Sequence, residues 1–360
     1  MKKKILLAAL CLIMNTVAVP RALTVGEEIS AECGVLYEPG GEVLWERRAY
    51  SPHLIASTTK LMTALVVLEQ RPLTDVVDIR PEYCGLEGSS MYLMAGQHLT
   101  VEELLTGLLL ASGNDAAYAL AVDTSGSAGA FADEMNRRAR ELGMSNSHFE
   151  NPHGLDGREQ YSTALDLAKL MAACCENEDF VRIASQKSGT AGAIRYENHN
   201  KLLSRLPGCI AGKTGYTMAA GRCLVSCCER EGLRLICVTL NAPDDWNDHT
   251  ALYEAAYKTY RMATAAKEGE RFAIPVANMD GEYAFASPQR TLRLLLTAED
   301  ELRIVREMPR FTYAPVSQGE YAGRIIVLVN GEKREEIPLF FAESVTVRPR
   351  QRAKTQDFSE

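Results

Sequence analysis

A helical block set between two strand-rich stretches does most to limit what this chain can become. From Ser57 to about Gln70, apolar residues fall at Leu61, Ala64, Leu65 and Leu68, the three-and-four spacing of a buried helix face. Residues 101–111 form a second helix, opened by Thr100 with Glu103 three residues on, the pattern of a capping box. Residues 114–122 and 128–142 continue the block, and Gly143 closes it. Ahead of the block, residues 34–37 and 43–45 flank Pro39-Gly40-Gly41 and read as a hairpin. Behind it, residues 222–228 and 233–240 surround Glu231-Gly232 as a second hairpin. Helical periodicity returns over residues 245–265, and from about Glu268 short β-rich runs take over. Among these, residues 323–329 lead into Asn330-Gly331, the strongest short-range hairpin signal. A domain boundary is expected near residue 268.

The chain has 360 residues, 46% hydrophobic and 24% charged, with a formal net charge of −8. The length suits two domains, and the acidic balance argues against a nucleic-acid partner. Lys2, Lys3 and Lys4 precede an apolar run over residues 5–14, with Ala18 or Ala22 as small cleavage-site residues. That is the pattern of a secretory signal peptide, expected over residues 1–22, and the run is too short for a mature membrane span. An extracytoplasmic protein (secreted, in the cell wall or the periplasm) follows. Losing Cys11 with the signal leaves nine of the ten cysteines, an odd number in a chain too long to need staples. Cys223, Cys227, Cys228 and Cys237 lie in apolar strand-like runs, where a free thiol behaves as a small hydrophobe. Mostly reduced, structural cysteines are expected. No C-x-x-C pair or histidine spacing suggests zinc, so neither metal nor cofactor is expected.

Three short motifs fall in order: Ser57-Thr-Thr-Lys60, Ser112-Gly-Asn114 and Lys213-Thr-Gly215. Each of the first two should arise on the order of once by chance in a chain this long, and the third about once in ten such chains. A serine hydroxyl needs a base beside it to act as a nucleophile, and residues three apart share a helix face. Lys60 therefore adjoins Ser57, but a lysine with its usual pKa near 10.4 cannot be a base at pH 7. Burial or a second cation must tune it down, and Lys213 is the candidate for that cation, the two titrating as a coupled pair. Ser57 also begins the helix, where free amides can hold developing negative charge. Ser112 can pass a proton onward from a break between helices, and Asn114 can grip a substrate amide. Lys213 and Thr214 on an edge strand can hold a carboxylate, and Gly215 would let a substrate approach the backbone. Taken singly, these motifs also read as a Ser-capped helix, an ordinary N-cap and a surface turn. His153, in Asn151-Pro-His-Gly-Leu155, invites a Ser-His-Asp reading, but no Gly-x-Ser-x-Gly surrounds any serine. The Pro-His-Gly turn is expected to position a loop.

The ordered triple resembles the penicillin-binding, serine-type D-alanyl-D-alanine carboxypeptidase family. Gly88-Ser-Ser-Met91, Ser112-Gly-Asn-Asp-Ala-Ala117, Glu141-Leu-Gly-Met144, residues 148–155 and Asn198-His-Asn200 are similar to it as well. So is the stretch from Ala314-Pro315 to Ile337-Pro-Leu339. The resemblance implies an α/β (α+β) fold: an antiparallel sheet flanked by helices, built from N- and C-terminal strands, over residues 23–267. A small β-sandwich-like domain is implied for residues 268–347, with a disordered charged tail at 348–360. It implies that Ser57, Lys60 and Ser112 are catalytic, and that Asn114, Lys213, Thr214, Gly215 and Tyr216 bind substrate. The backbone amides of Ser57 and Tyr216 would form the oxyanion hole. The implied reaction is hydrolysis of the terminal D-Ala-D-Ala bond of peptidoglycan stem peptides through a Ser57 acyl-enzyme, with β-lactams acylating the same serine. Two departures stand out. The tail is polar and charged where many members end in an amphipathic helix, so membrane anchoring is in doubt. The middle motif is Ser-Gly-Asn, which favours the carboxypeptidase branch over class A β-lactamases, and Glu150 and Glu159 lie in the wrong context for a deacylating glutamate. A β-lactamase or esterase on the same scaffold, or an inactive cell-wall-binding protein, are the alternatives.

Overall fold

A computed structural model describes residues 23–25, 28–279 and 282–347. The expected signal peptide and charged tail lie outside these residues. Two compact units divide the chain between Tyr260 and Arg261, a few residues before the boundary read from the sequence.

The first unit opens with strands β1 (Cys33–Glu38) and β2 (Glu42–Arg47), joined through Gly41 at φ +114. A single 3₁₀ turn, Ala56–Thr59, runs into helix α1 (Lys60–Gln70). A short ribbon of β3 (Val76–Asp78) and β4 (His98–Thr100) follows. Next come helices α2 (Val101–Leu110), α3 (Asn114–Ser125), α4 (Ala128–Glu141), α5 (Ala164–Cys175) and α6 (Glu178–Ala184). A second ribbon, β5 (Ser188–Ala191) with β6 (Ile194–Glu197), and the short α7 (Leu202–Arg205) lead to three long strands. These are β7 (Cys209–Thr217), β8 (Gly221–Arg230) and β9 (Leu233–Leu240), and helix α8 (Asp245–Thr259) closes the unit.

The five strands form one antiparallel sheet in the order β2-β1-β9-β8-β7, so the N-terminal hairpin joins the late strands. Helices cover both faces. Side chains alternate across a strand: Ser226 bonds to His249 of α8, while its neighbour Cys227 meets Cys175 of α5. Every residue of α1 from Lys60 to Val67 is buried, as befits a helix enclosed on all sides. Side-chain caps from Thr100, Ser127, Thr163 and Asn177 start α2, α4, α5 and α6, each worth about 1 kcal/mol. The Thr100–Glu103 capping box is complete in both directions. The nine described cysteines are free thiols, and all but Cys84 and Cys209 are buried.

Two readings need correction. The helix expected from Ser57 is 3₁₀ through Thr59 and α only from Lys60. The helical pattern over residues 245–265 stops at Thr259, because Tyr260–Ala266 forms strand β10, paired with β13 (Leu292–Thr297). Pairing in the second unit overrides the helix preference of Met262 and three alanines.

That second unit holds a five-stranded antiparallel sheet besides the β10–β13 pair. Its strands are β11 (Phe272–Pro275), β12 (Tyr283–Pro288), β14 (Leu302–Glu307), β15 (Tyr321–Val329) and β16 (Glu332–Phe341), in the order β11-β12-β16-β15-β14. Asn330 and Gly331 both take positive φ, +54 and +82, as a tight hairpin turn requires. Ile325, Val327, Ile337, Leu339, Ala284 and Ala286 fill its core.

Candidate active site

Ser57 sits in the 3₁₀ turn, half-buried. Hydroxyls hold that turn from within: Thr58 Oγ1 donates to the Ile55 carbonyl at 2.6 Å, and Thr59 Oγ1 to that of Ala56 at 2.9 Å. Ala56 takes φ +46, a left-handed setting that costs a non-glycine residue about 1 kcal/mol or more. Strain thus lies directly before the candidate nucleophile.

Lys60, completely buried, reaches three oxygens: Ser57 Oγ at 2.9 Å, Asn114 Oδ1 at 2.7 Å and the His153 carbonyl at 2.6 Å. An ammonium has three protons and no acceptor, so these contacts saturate it. A neutral amine keeps two protons and one lone pair. The amide and carbonyl oxygens can only accept, so that lone pair must point at Ser57. Burial pushes the Lys60 pKa well below its ordinary value, and the Lys213 charge adds to the effect while Asp115 opposes it. Burial, rather than the second cation, is thus the main cause.

Lys213 is buried on β7, the edge strand of the sheet. Its Nζ donates to Ser112 Oγ at 2.9 Å and to the Thr214 carbonyl at 2.9 Å. Burial brings its pKa down to about 7, and its charge in turn helps depress Lys60, so the second cation does act on the first amine, with desolvation the larger cause. Ser112 is itself buried and held at φ +62. Thr214 is half-buried, and Tyr216 is 66% exposed.

Asn114, expected to bind substrate, also has partners within the protein. Its oxygen accepts from Lys60 and its Nδ2 donates to the Glu87 carbonyl at 2.6 Å, so both ends of the amide are engaged within the protein. A Cβ on Gly215 would lie 2.9 Å from the Ser57 nitrogen and 3.0 Å from the Ile55 carbonyl. The absence of a side chain lets β7 press against the turn that carries Ser57.

His153 joins the site through its backbone carbonyl. Burial and the nearby Lys60 lower its ring pKa to about 4, and its Nδ1 accepts from the Leu155 amide at 3.2 Å. The Pro-His-Gly turn does position a loop: Thr63 Oγ1 donates to the Pro152 carbonyl at 2.6 Å, and a Cβ on Gly154 would meet the Ala56 carbonyl at 2.0 Å. Sequence reasoning missed Asp115, a fully buried acid beside Asn114. An ionisable residue directly after a polar motif, in an otherwise apolar helix start, was the available signal. Among the described residues, no cluster of three or more His, Cys, Asp or Glu could hold a metal ion.

A half-exposed serine, hydrogen-bonded to an enclosed lysine and pressed against a sheet edge, defines a serine hydrolase of the acyl-transfer class. Residues 16–244 match the profile of peptidase family S11, D-alanyl-D-alanine carboxypeptidase. The chain belongs to that family. It is 28% identical over 333 residues to the D-alanyl-D-alanine carboxypeptidase DacF of Bacillus subtilis (strain 168), covering 88% of this chain and 86% of that one. It is 33% identical over 331 residues to DacC of Escherichia coli (strain K12), covering 85% and 81%. The crystal structure of penicillin binding protein 5 from Haemophilus influenzae superposes with a TM-score of 0.71 at 25% identity, over 90% of this chain and 100% of that one. The fold is thus the penicillin-binding-protein type, and the protein is a serine-type carboxypeptidase.

Proposed function

We propose that Ser57 attacks the carbonyl between the two terminal D-alanines of a peptidoglycan stem peptide. The observation that carries this is the enclosed Lys60 Nζ, 2.9 Å from Ser57 Oγ, with its other two contacts taken by acceptors. As the Ser57 oxygen bonds to the carbonyl carbon, its proton passes to Lys60. The carbonyl oxygen's negative charge falls to the backbone amides of Ser57 and Tyr216, a role supported by the close approach of Gly215 to the Ser57 nitrogen. Lys213 and Thr214 hold the terminal carboxylate. Ser112, hydrogen-bonded to Lys213, relays the proton taken up by Lys60 to the departing D-alanine as the carbon–nitrogen bond breaks, which leaves Lys60 neutral again for the attack of water. Water then cleaves the ester and restores Ser57. Asn114 acts by holding Lys60 in place. A β-lactam ring acylates the same serine. The substrate lies outside the cytoplasmic membrane, so the enzyme works there.

Release of D-alanine from a pentapeptide ending in D-Ala-D-Ala tests the reaction. Intact mass after penicillin treatment, with the modified peptide mapped, tests the nucleophile. The expected adduct falls on the peptide containing Ser57. Rapid penicillin turnover without a lasting adduct would favour a β-lactamase, and an adduct on another residue would sink the assignment.

A further inference from the structure

Asp115 is enclosed completely, yet among the described residues no basic side chain bonds to it. Four donors converge on its two oxygens. Met91 N (2.9 Å) and Ala116 N (2.9 Å) reach Oδ1, while Ser90 Oγ (2.6 Å) and Leu93 N (3.0 Å) reach Oδ2. Three of the four belong to the segment 90–93, which has no regular structure of its own. A buried carboxylate is costly unless it is hydrogen-bonded in this way. An amide could not replace it, because its NH₂ would face donors.

The residues just before that segment hold Asn114. Asn114 N donates to the Ser89 carbonyl at 2.7 Å, and Asn114 Nδ2 to that of Glu87 at 2.6 Å. The opposite end of that amide accepts from Lys60. Two glycines make the arrangement possible. A Cβ on Gly88 would lie 2.7 Å from Asn114 Nδ2, and one on Gly113 would lie 2.7 Å from Asp115 Oδ1. Tyr196 closes the far side by donating to the Met91 carbonyl at 2.6 Å.

We propose that Asp115 is a positioning residue for the acylation step: it fixes residues 87–93, these fix the Asn114 amide, and that amide fixes the amine facing Ser57. Asp115 does not touch the reacting atoms. The inference rests on the Ser57–Lys60 reading above and adds a residue to it. The charged or titratable groups facing this assembly are Lys60 from α1, Lys213 from β7, His153 from its loop and Tyr196 from β6. Asp115 raises the proton affinity of Lys60 and the other two named basic groups do not.

Two variants test it through the pH profile of the second-order rate of penicillin acylation. Asp115→Asn should lower the plateau roughly 10- to 100-fold, as expected when a catalytic group is displaced by a fraction of an ångström to an ångström. Its acid limb should move to lower pH, because a negative charge that favours protonated Lys60 is gone. A slower enzyme whose base titrates more readily is a signature that loss of stability alone does not produce. Asp115→Glu, which keeps the charge but displaces it, should lose rate with the acid limb unmoved. If Asp115→Asn does not fold, Ser90→Ala serves. It removes one donor at the partly exposed edge of the segment and should slow acylation about threefold without moving the melting temperature by more than a degree or two. An Asp115→Asn plateau within twofold of wild type, an unmoved acid limb, or full-speed Ser90→Ala in the fallback case overturns the proposal. Wild-type protein that forms no adduct on Ser57 overturns the underlying reading instead, so the two failures are distinct.

Discussion

Ser57 and Ser226 each lie within hydrogen-bonding distance of a nitrogen base, 2.9 Å from Lys60 Nζ and 2.7 Å from His249 Nδ1. On residue type alone, the serine–histidine pair is the more familiar catalytic couple. The surroundings reverse that ranking. Ser226, His249, Thr239 and Tyr253 are all completely buried between the sheet and α8. Both ring nitrogens are engaged, Nδ1 by Ser226 and Nε2 by Thr239 Oγ1 at 3.0 Å. The Tyr253 hydroxyl meets Ser226 Oγ at 3.0 Å and accepts from the Cys237 amide at 3.0 Å. That network is satisfied and closed, so it stabilises. The Ser57 site also has a buried base, but Ser57 itself is only half-buried and its turn is strained at Ala56. On the proposed mechanism, the difference that matters is a sealed base beside a serine that is only half-buried.

The contrast can be broken most decisively at Ser57. Ser57→Ala should abolish both D-alanine release and the penicillin adduct, a loss on the order of 10⁴-fold or more, read by product assay and intact mass. Lys60→Met keeps the hydroxyl and removes the base. Acylation should fall by about 10²- to 10⁴-fold, measured with a fluorescent penicillin, and the residual rate should lose its dependence on the lysine's titration. The sealed cluster should respond in stability alone. His249 has its pKa lowered to about 3 by burial, against 6.5 when exposed. The unfolded chain takes up a proton below pH 6.5 and the folded one does not, so stability is lost as pH falls through that window. The loss should be about 3 kcal/mol between pH 7 and pH 4, and urea titrations of wild type and His249→Gln should show it shrinking in the variant. Ser226→Ala should cost about 1–3 kcal/mol by leaving buried partners unpaired, with acylation unchanged within twofold. A Ser226→Ala enzyme that is stable but slow would erase the distinction.

Much of this was legible in the sequence, and the illegible part has a common cause. Hairpins at residues 34–45, 222–240 and 323–339 were readable because Gly-Gly, Glu-Gly and Asn-Gly turns fix short-range geometry. Ser57 and Lys60 were readable as neighbours because local spacing puts them on one face. Asn114 was a polar residue at a break with no visible partner. Only the fold brings the Glu87 carbonyl, 27 residues earlier, to one end of its amide, and Lys60, 54 residues earlier, to the other. Gly215 carried the same ambiguity, since its constraint is the backbone of Ile55 and Ser57 across the sheet edge. Residues 260–265 read as helix because their composition favours it, and β13, which pairs with this stretch, begins at Leu292.

The sheet has one further implication, for how the molecule comes into being. Strand β1 is flanked by β2 on one side and β9 on the other, and Cys33 pairs with Leu240. A polypeptide emerging from its amino end therefore holds its opening hairpin unmatched until more than half its length has followed. Contacts so remote along the chain are slow to form. The sheet whose edge strand β7 leans against the Ser57 turn is therefore complete only once β9 has been made.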